Sequence, residues 1–246
     1  MLQTLRMRNG STLQHGSITL LDANVLVGAA TGRHKYDTGF VDDIKSGLYS
    51  TPVAIADVTL DEANAVCKRP DVGGDSNSIW RDISSSNIPC YLIDTGLLDA
   101  WRQPTTVVLK ELSRYETSIN PAYRQLVQRM PLHNNNNKPR NSCGDRIVAY
   151  AALYLREKVA GSVSLLTWDS DFNVIAQDMK RLGICVNNTK DHIKGIGMKP
   201  EAFNGRPLCK ERADSLSPKP EDLDRMTVTE ALRASGITVT IKNKTS

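Results

Sequence analysis

No cysteine spacing in this chain builds a zinc ribbon or a disulfide framework. The five cysteines, Cys67, Cys90, Cys143, Cys185 and Cys209, are odd in number, far apart and never in a C-x-x-C arrangement. They read as idle or buried thiols of a reducing, cytoplasmic setting. The four histidines, His15, His34, His133 and His192, are as scattered and form no ligand pair. No apolar run approaches the roughly 20 residues of a membrane helix, which argues against a membrane partner. The first 17 residues carry Arg6 and Arg8 but no apolar stretch of a signal peptide. Internal repeats are missing too.

What is present reads as an ordinary globular chain. Its 246 residues are 40% hydrophobic and 24% charged, enough to bury a core without covalent staples. A net charge of +4 and a pI near 8.8 point only weakly to nucleic acid. The pointer strengthens if several acids are hidden behind a metal ion.

Apolar runs alternate with helical patterns along the chain. Residues 18–28 read as a buried strand running into its loop, and Phe40, Ile44 and Leu48 keep helical spacing before Pro52. Val53 to Leu60 leads into a helix near 60–68 that Pro70 stops. Residues 71–78 are loop by composition, and Cys90 to Ile93 is a short strand. Helical material over 96–130 is broken at Pro104 and Pro121, and the asparagine tract within 133–140 is a polar loop. Ile147, Val148, Ala151, Ala152 and Leu155 share one face of a helix over 145–159. Val163 to Thr167 is a strand, residues 172–182 a helix ended by Gly183, and Ile184 to Val186 a last strand. Strands alternating with helices predict an α/β fold, a central parallel twisted sheet with helices on both faces. After about residue 197 the composition turns to proline and charge, so the chain divides into a domain over 1–197 and an extension over 198–246. The extension holds a helix near 228–235 and the alternating Ile237 to Ile241, and reads as an oligomerisation or partner arm.

Four acidic stations end or follow apolar runs: Asp22, Glu62, Asp145 and the pair Asp169 and Asp171. Each alone has a structural explanation. Thr59 and Glu62 match a capping box, Asp145 suits the first turn of a helix, and Asp171 suits the N-cap of the 172–182 helix. Asp169, in phase with Thr167, is then the better metal ligand, while Asn24 sits two residues past Asp22 on the same strand face. Together the acids fall where one sheet edge should be, at the carboxyl ends of strands, where open α/β sheets bind ligands. About four converging carboxylates imply a hard divalent cation such as Mg²⁺ or Mn²⁺. Phosphodiester hydrolysis is the chemistry such a site most naturally supports.

The stretches Leu21-Asp22-Ala23-Asn24-Val25-Leu26, Val58-Thr59-Leu60-Asp61-Glu62, Gly144-Asp145-Arg146-Ile147-Val148-Ala149 and Leu166-Thr167-Trp168-Asp169-Ser170-Asp171-Phe172 resemble the motifs of PIN-domain nucleases, the fold of VapC-type toxins and RNA-processing endonucleases. The resemblance covers roughly residues 17–190; the long 71–140 segment and the 198–246 extension depart from it. It implies a PIN-like fold and a metal-dependent endoribonuclease. Asp22, Glu62, Asp145 and Asp169 would be the metal-binding acids, Asp171 a fifth acid, and Asn24 and Thr167 orienting groups. The implied cofactor is Mg²⁺ or Mn²⁺. The implied partners are single-stranded RNA, a protein antitoxin if the chain is a toxin, and a second copy of itself.

Cations that would hold the substrate are Arg33, His34 and Lys35 after the first strand, and Lys138, Arg140 and Arg146 around Asp145. Other readings stay open: a structure-specific DNA nuclease, a phosphotransferase with Asp22 as nucleophile, and an inactive scaffold that binds RNA or protein.

Overall fold

Alternation of side chains along six short strands gives this protein two cores, one on each face of a single sheet. The computed structural model describes residues 2–7, 13, 15–132 and 139–196. Its elements are β1 (Leu2–Arg6), β2 (Ser17–Leu21), α1 (Ala23–Thr31), α2 (Lys35–Lys45), β3 (Val53–Ala56), α3 (Asp57–Cys67), α4 (Ser76–Ser84), β4 (Cys90–Asp94), α5 (Leu98–Trp101), α6 (Thr105–Thr117), α7 (Pro121–Val127), α8 (Pro139–Lys158), β5 (Ser162–Leu166), α9 (Ala176–Arg181), β6 (Ile184–Asn187) and α10 (Thr189–Gly195), with a 3₁₀ turn at Ser170–Val174. All strand pairs are parallel, in the order β1-β4-β3-β2-β5-β6.

Ile18, Leu20, Ala54, Ala56, Tyr91, Ile93, Val163 and Leu165 face one way and pack with α6, α7, α8 and α9. Leu21, Val53, Ile55, Cys90 and Leu166 face the other way and pack with α1, α2, α4 and α10. A parallel sheet covered on both faces is the expected α/β architecture. From β2 the chain moves outward to β3 and β4, and it later returns to β5 and β6 on β2's other side. The strand order therefore reverses between β2 and β5, and a crevice opens beyond their carboxyl ends.

Several boundaries differ from the sequence reading. The apolar run 18–28 is not one strand: β2 stops at Leu21, and Asp22 caps α1 by accepting from Ala23 N at 2.7 Å. An apolar run of this length serves a buried helix as well as a strand, and periodicity alone does not separate the two. The helix expected near 60–68 begins at Asp57, so Thr59 lies inside its first turn and the Thr59–Glu62 capping box does not exist. The helix expected from 145 begins at Pro139, which puts Asp145 beyond its first turn rather than in it. Pro104 and Pro121 break the 96–130 material as expected, Pro121 as an N-terminal residue of α7. Leu48 lies past α2 and is exposed, unlike Phe40 and Ile44. Residues 172–182 divide into the 3₁₀ turn and α9. The edge strand β1, pairing with β4, was not anticipated; its Leu2 is exposed and its sequence carries little apolar signal.

The extension over 198–246, with its expected helix and strand, lies outside the described residues, as does the tract 133–138. Among the described residues no helix is long and apolar enough to cross a membrane. Cys67, Cys90 and Cys143 are buried free thiols, and Cys185 is exposed. Burial pushes Cys90 and Cys143 up to about 11, which keeps both as inert thiols.

Candidate metal centre at the carboxyl edge

The chain leaves β2 at Leu21 and β5 at Leu166, and Asp22 N donates to Leu166 O at 3.0 Å, so the two exits are tied together. The buried Asp22 carboxylate then collects donors from both. Thr167 Oγ1 donates to Asp22 Oδ2 at 2.6 Å and Asn24 Nδ2 donates to the same oxygen at 2.8 Å. Thr167 Oγ1 in turn accepts from Asp169 N at 3.0 Å, and Asn24 Oδ1 accepts from Trp168 N at 3.1 Å. Asn24 and Thr167 thus do orient Asp22, although Asn24 does so from the first turn of α1 and not from a strand face.

Asp169, not Asp171, is the cap of the following turn: Asp169 Oδ1 accepts from Asp171 N at 2.8 Å. The expectation that Asp171 opens the helix is corrected by one turn geometry. The chain makes a 3₁₀ turn from Ser170, so the residue before it takes the capping position.

Glu62 reaches the same edge from α3, its carboxylate lying against Gly144. A Cβ at Gly144 would stand 2.8 Å from Glu62 Oε2 and 3.3 Å from the Trp101 ring. Glycine inside a helix costs about 1 kcal/mol against alanine. Here it lets the carboxylate lean on α8 one residue from Asp145.

Asp145 is where the acids meet. Its carboxyl is held well above the ordinary carboxylate range, first by burial and then by repulsion from Asp169, Asp22, Glu62 and Asp171, in that order. Burial also raises Asp22, against the lowering effect of its three hydrogen bonds. Four carboxylates are therefore near enough to Asp145 to repel its charge at the β2/β5 crevice. They surround it without closing on it: among the described residues no group of three His, Cys, Asp or Glu side chains stands ready to hold a metal ion. The donor chemistry nevertheless fits a hard cation, since every acid offers oxygen and none of the cluster offers nitrogen or sulfur.

Of the cations expected around this site, Arg33, His34 and Arg146 are buried in contacts of their own. Arg33 is buried and its Nη2 donates to Asp71 O at 3.2 Å. His34 is buried, with Nδ1 3.0 Å from Asp37 Oδ2, and Lys35 lies with Nζ 4.9 Å from the Tyr36 ring centroid. Arg146 is buried against Glu116 Oε1 at 3.4 Å, and its Nη2 donates to Gln128 O and Met130 O. Arg33 and Arg146 are structural groups and cannot also reach a phosphate at the surface. Arg140 lies in the first turn of α8, and Lys138 is outside the described residues.

Sequence reading also missed the support behind Trp168. Its Nε1 donates to the buried Asp37 Oδ1 at 3.0 Å, and Thr189 Oγ1 donates to that same oxygen at 2.7 Å. Asp37 Oδ2 occupies the place a Cβ on Gly28 would take, 2.0 Å away. The backbone that carries Thr167 and Asp169 is in this way pinned to α1, α2 and α10.

No protein-family model, curated protein or solved structure matches the chain.

Proposed function

We propose that this chain is a metal-dependent endoribonuclease with a PIN-like fold, hydrolysing phosphodiester bonds of single-stranded RNA at the crevice between β2 and β5. One observation carries the reading: Asp145, buried at the strand-order reversal, is surrounded by four other carboxylates whose repulsion raises its pKa. Buried like charges are costly unless a positive partner joins them. Mg²⁺ or Mn²⁺ bound there supplies a water of lowered pKa and neutralises charge on the phosphate.

The chain's own residues divide the remaining work. Asp22, Glu62, Asp145 and Asp169 hold the ion, with Asp171 beside them. Thr167 and Asn24 lock the Asp22 carboxylate in one orientation. Asp169 is held by its own cap, which fixes its carboxylate. Toxin activity, with an antitoxin covering this edge, is one biological setting for the same chemistry.

The test is cleavage of end-labelled single-stranded RNA, duplex RNA and DNA in Mg²⁺, Mn²⁺ or EDTA, with Asp22→Asn as control. Internal cuts in single-stranded RNA, lost in EDTA and in Asp22→Asn, are the expected result. Cleavage that persists in EDTA overturns the mechanism. Preference for DNA moves the reading to a DNA nuclease, and metal binding without any cleavage moves it to an inactive scaffold.

A further inference from the structure

With Arg33 and Arg146 buried, the substrate must be held by other groups, and a cleft along α3, the helix that carries Glu62, offers them. Asp57, Leu60, Asn64 and Lys68 recur along one face of α3, and across from them stand Leu92 of β4, with Leu98 and Arg102 of and after α5. The open cleft between has a volume of about 520 Å³, within the roughly 300–1,000 Å³ usual for small-ligand sites. Two of its lining residues neighbour the site in sequence. Asp61 precedes Glu62 on α3, and Arg102 follows Trp101, whose ring packs at Gly144 beside the Glu62 carboxylate.

The lining is amphipathic in the manner of a nucleotide. Leu60, Leu92 and Leu98 give it apolar surface, and exposed Arg102 and Lys68 line it as well. Asn64 Nδ2 donates to Asn77 Oδ1 at 2.6 Å, and Asn64 Oδ1 accepts from Ser76 Oγ at 2.5 Å, so both amides are held in fixed orientation at the rim. The two acids of the cleft do not spoil it for a polyanion. Asp57 is turned inward, accepting from Val58 N at 2.7 Å and from Thr95 Oγ1 at 2.7 Å. Asp61 is matched by Arg102, whose Nε and Nη2 both donate to Asp61 Oδ1 at 3.0 and 2.9 Å. That geometry leaves Arg102 Nη1 facing outward.

We infer that this cleft is the subsite for the single-stranded RNA adjoining the scissile bond, with Arg102 and Lys68 on successive phosphates, a base on the leucine surface and the Asn64 and Asn77 amides at base edges. The inference rests on the nuclease reading for its substrate, and it adds where the strand lies. Single-stranded RNA is bound through such splayed bases and backbone cations. Asp61 competes with phosphate for Arg102, so it tunes affinity.

Fluorescence anisotropy with a labelled single-stranded RNA oligonucleotide in EDTA, across a salt series, tests the subsite apart from catalysis. Each cation removed from a single strand lowers the slope of log affinity against log salt by about 0.7. Arg102→Gln and Lys68→Gln are expected each to weaken binding with that loss of slope, and the double variant with about twice it. Asp61→Asn is expected to tighten binding at low salt, and Lys110→Gln on exposed α6 to change nothing. Melting curves of each variant, at exposed Arg102, Lys68 and Lys110 and half-buried Asp61, establish that they fold. A double variant with wild-type affinity and slope overturns the subsite, as does a wild-type protein that binds no single-stranded RNA. Cleavage by the wild type in Mn²⁺ with no effect of the cleft variants sinks the subsite and leaves the nuclease reading. Weakened binding in the variants with no wild-type cleavage does the reverse.

Discussion

Asp145 and Arg146 are neighbours on α8, yet they belong to two regions built on opposite electrostatic plans. Arg146 turns toward α6 and α7, where the buried Glu116 accepts from it, from Tyr150 OH at 3.1 Å and from Gln128 Nε2 at 2.8 Å. Asp145 turns toward the crevice and meets four other acids. Successive helix positions are about 100° apart, so the arginine next in sequence cannot serve the aspartate beside it. A third buried acid, Asp37, follows the first plan, with Trp168, Thr189 and His34 around it. The contrast separates an acid whose neighbours are hydrogen-bond donors from one whose neighbours are other acids. Glu116 and Asp37 are of the first kind, and Asp145 is of the second.

The largest effect should come from breaking the compensated region. Removing one partner of a buried ion pair costs about 3–5 kcal/mol, because the other charge stays buried alone. Arg146→Met is therefore expected to lose roughly that much in urea denaturation. Asp145→Asn, one residue away, should be neutral or stabilising in the metal-free protein. Equal losses in both variants would erase the distinction between the regions.

Acidity sharpens the comparison next. His192 is buried beside Tyr49, its Nε2 3.0 Å from the hydroxyl, and burial lowers its pKa from 6.5 to about 4. The unfolded chain binds this proton more readily than the folded one. Stability from a neutral His192 is thus complete above pH 6.5 and lost as pH falls toward about 4. The loss amounts to on the order of 3 kcal/mol. Asp145 has the opposite sign: its raised pKa means that the folded protein loses stability as pH rises through and above the ordinary carboxylate range. Melting of the metal-free wild type, His192→Gln and Asp145→Asn against pH separates the two. His192→Gln should flatten the loss of stability as pH falls toward about 4, and Asp145→Asn the loss as pH rises above the ordinary carboxylate value.

A divalent ion should then convert the second region into the first. A ligand at about 100 times its dissociation constant adds roughly 2.7 kcal/mol, a melting shift of about 5–10 °C for a chain of this size. Thermal scans with EDTA and with excess Mn²⁺ should show that shift in the wild type and a smaller one in Asp145→Asn. An undiminished shift in the variant removes Asp145 from the site.

The sequence carried the sheet and the acids for different reasons. Strands such as Val163–Leu166 and Ile184–Val186 were legible because buried parallel strands are continuous apolar runs with turn signals at their ends. The run from Ile18 to Gly28 was misread because a helix packed within the core is apolar all round and loses its period. The acids were legible because a carboxylate inside apolar sequence needs an explanation. Their local roles were not, since capping depends on where a turn begins. Arg33 and Arg146 looked like surface cations because composition does not reveal burial, and Arg102 gave no signal because its value lies in what α3 and β4 place beside it.

The smallest expected effect divides the two acids of the last motif. Asp169 accepts from Asp171 N and caps the 3₁₀ turn, so it has both a structural and a site role. Loss of a capping side chain costs about 0.5–2 kcal/mol, while asparagine caps nearly as well as aspartate. Asp169→Ala is expected to lose that much stability together with activity. Asp169→Asn keeps the cap and removes one charge from the cluster, so activity should fall while metal-free stability holds or rises. Asp171 makes no cap; Asp171→Asn should leave stability within about 0.5 kcal/mol and reduce Mn²⁺ affinity only if its carboxylate reaches the ion. Urea melts and Mn²⁺ titrations of the three variants read out both quantities. A fully active Asp169→Asn would leave Asp169 as a cap alone and pass its site role to Asp171.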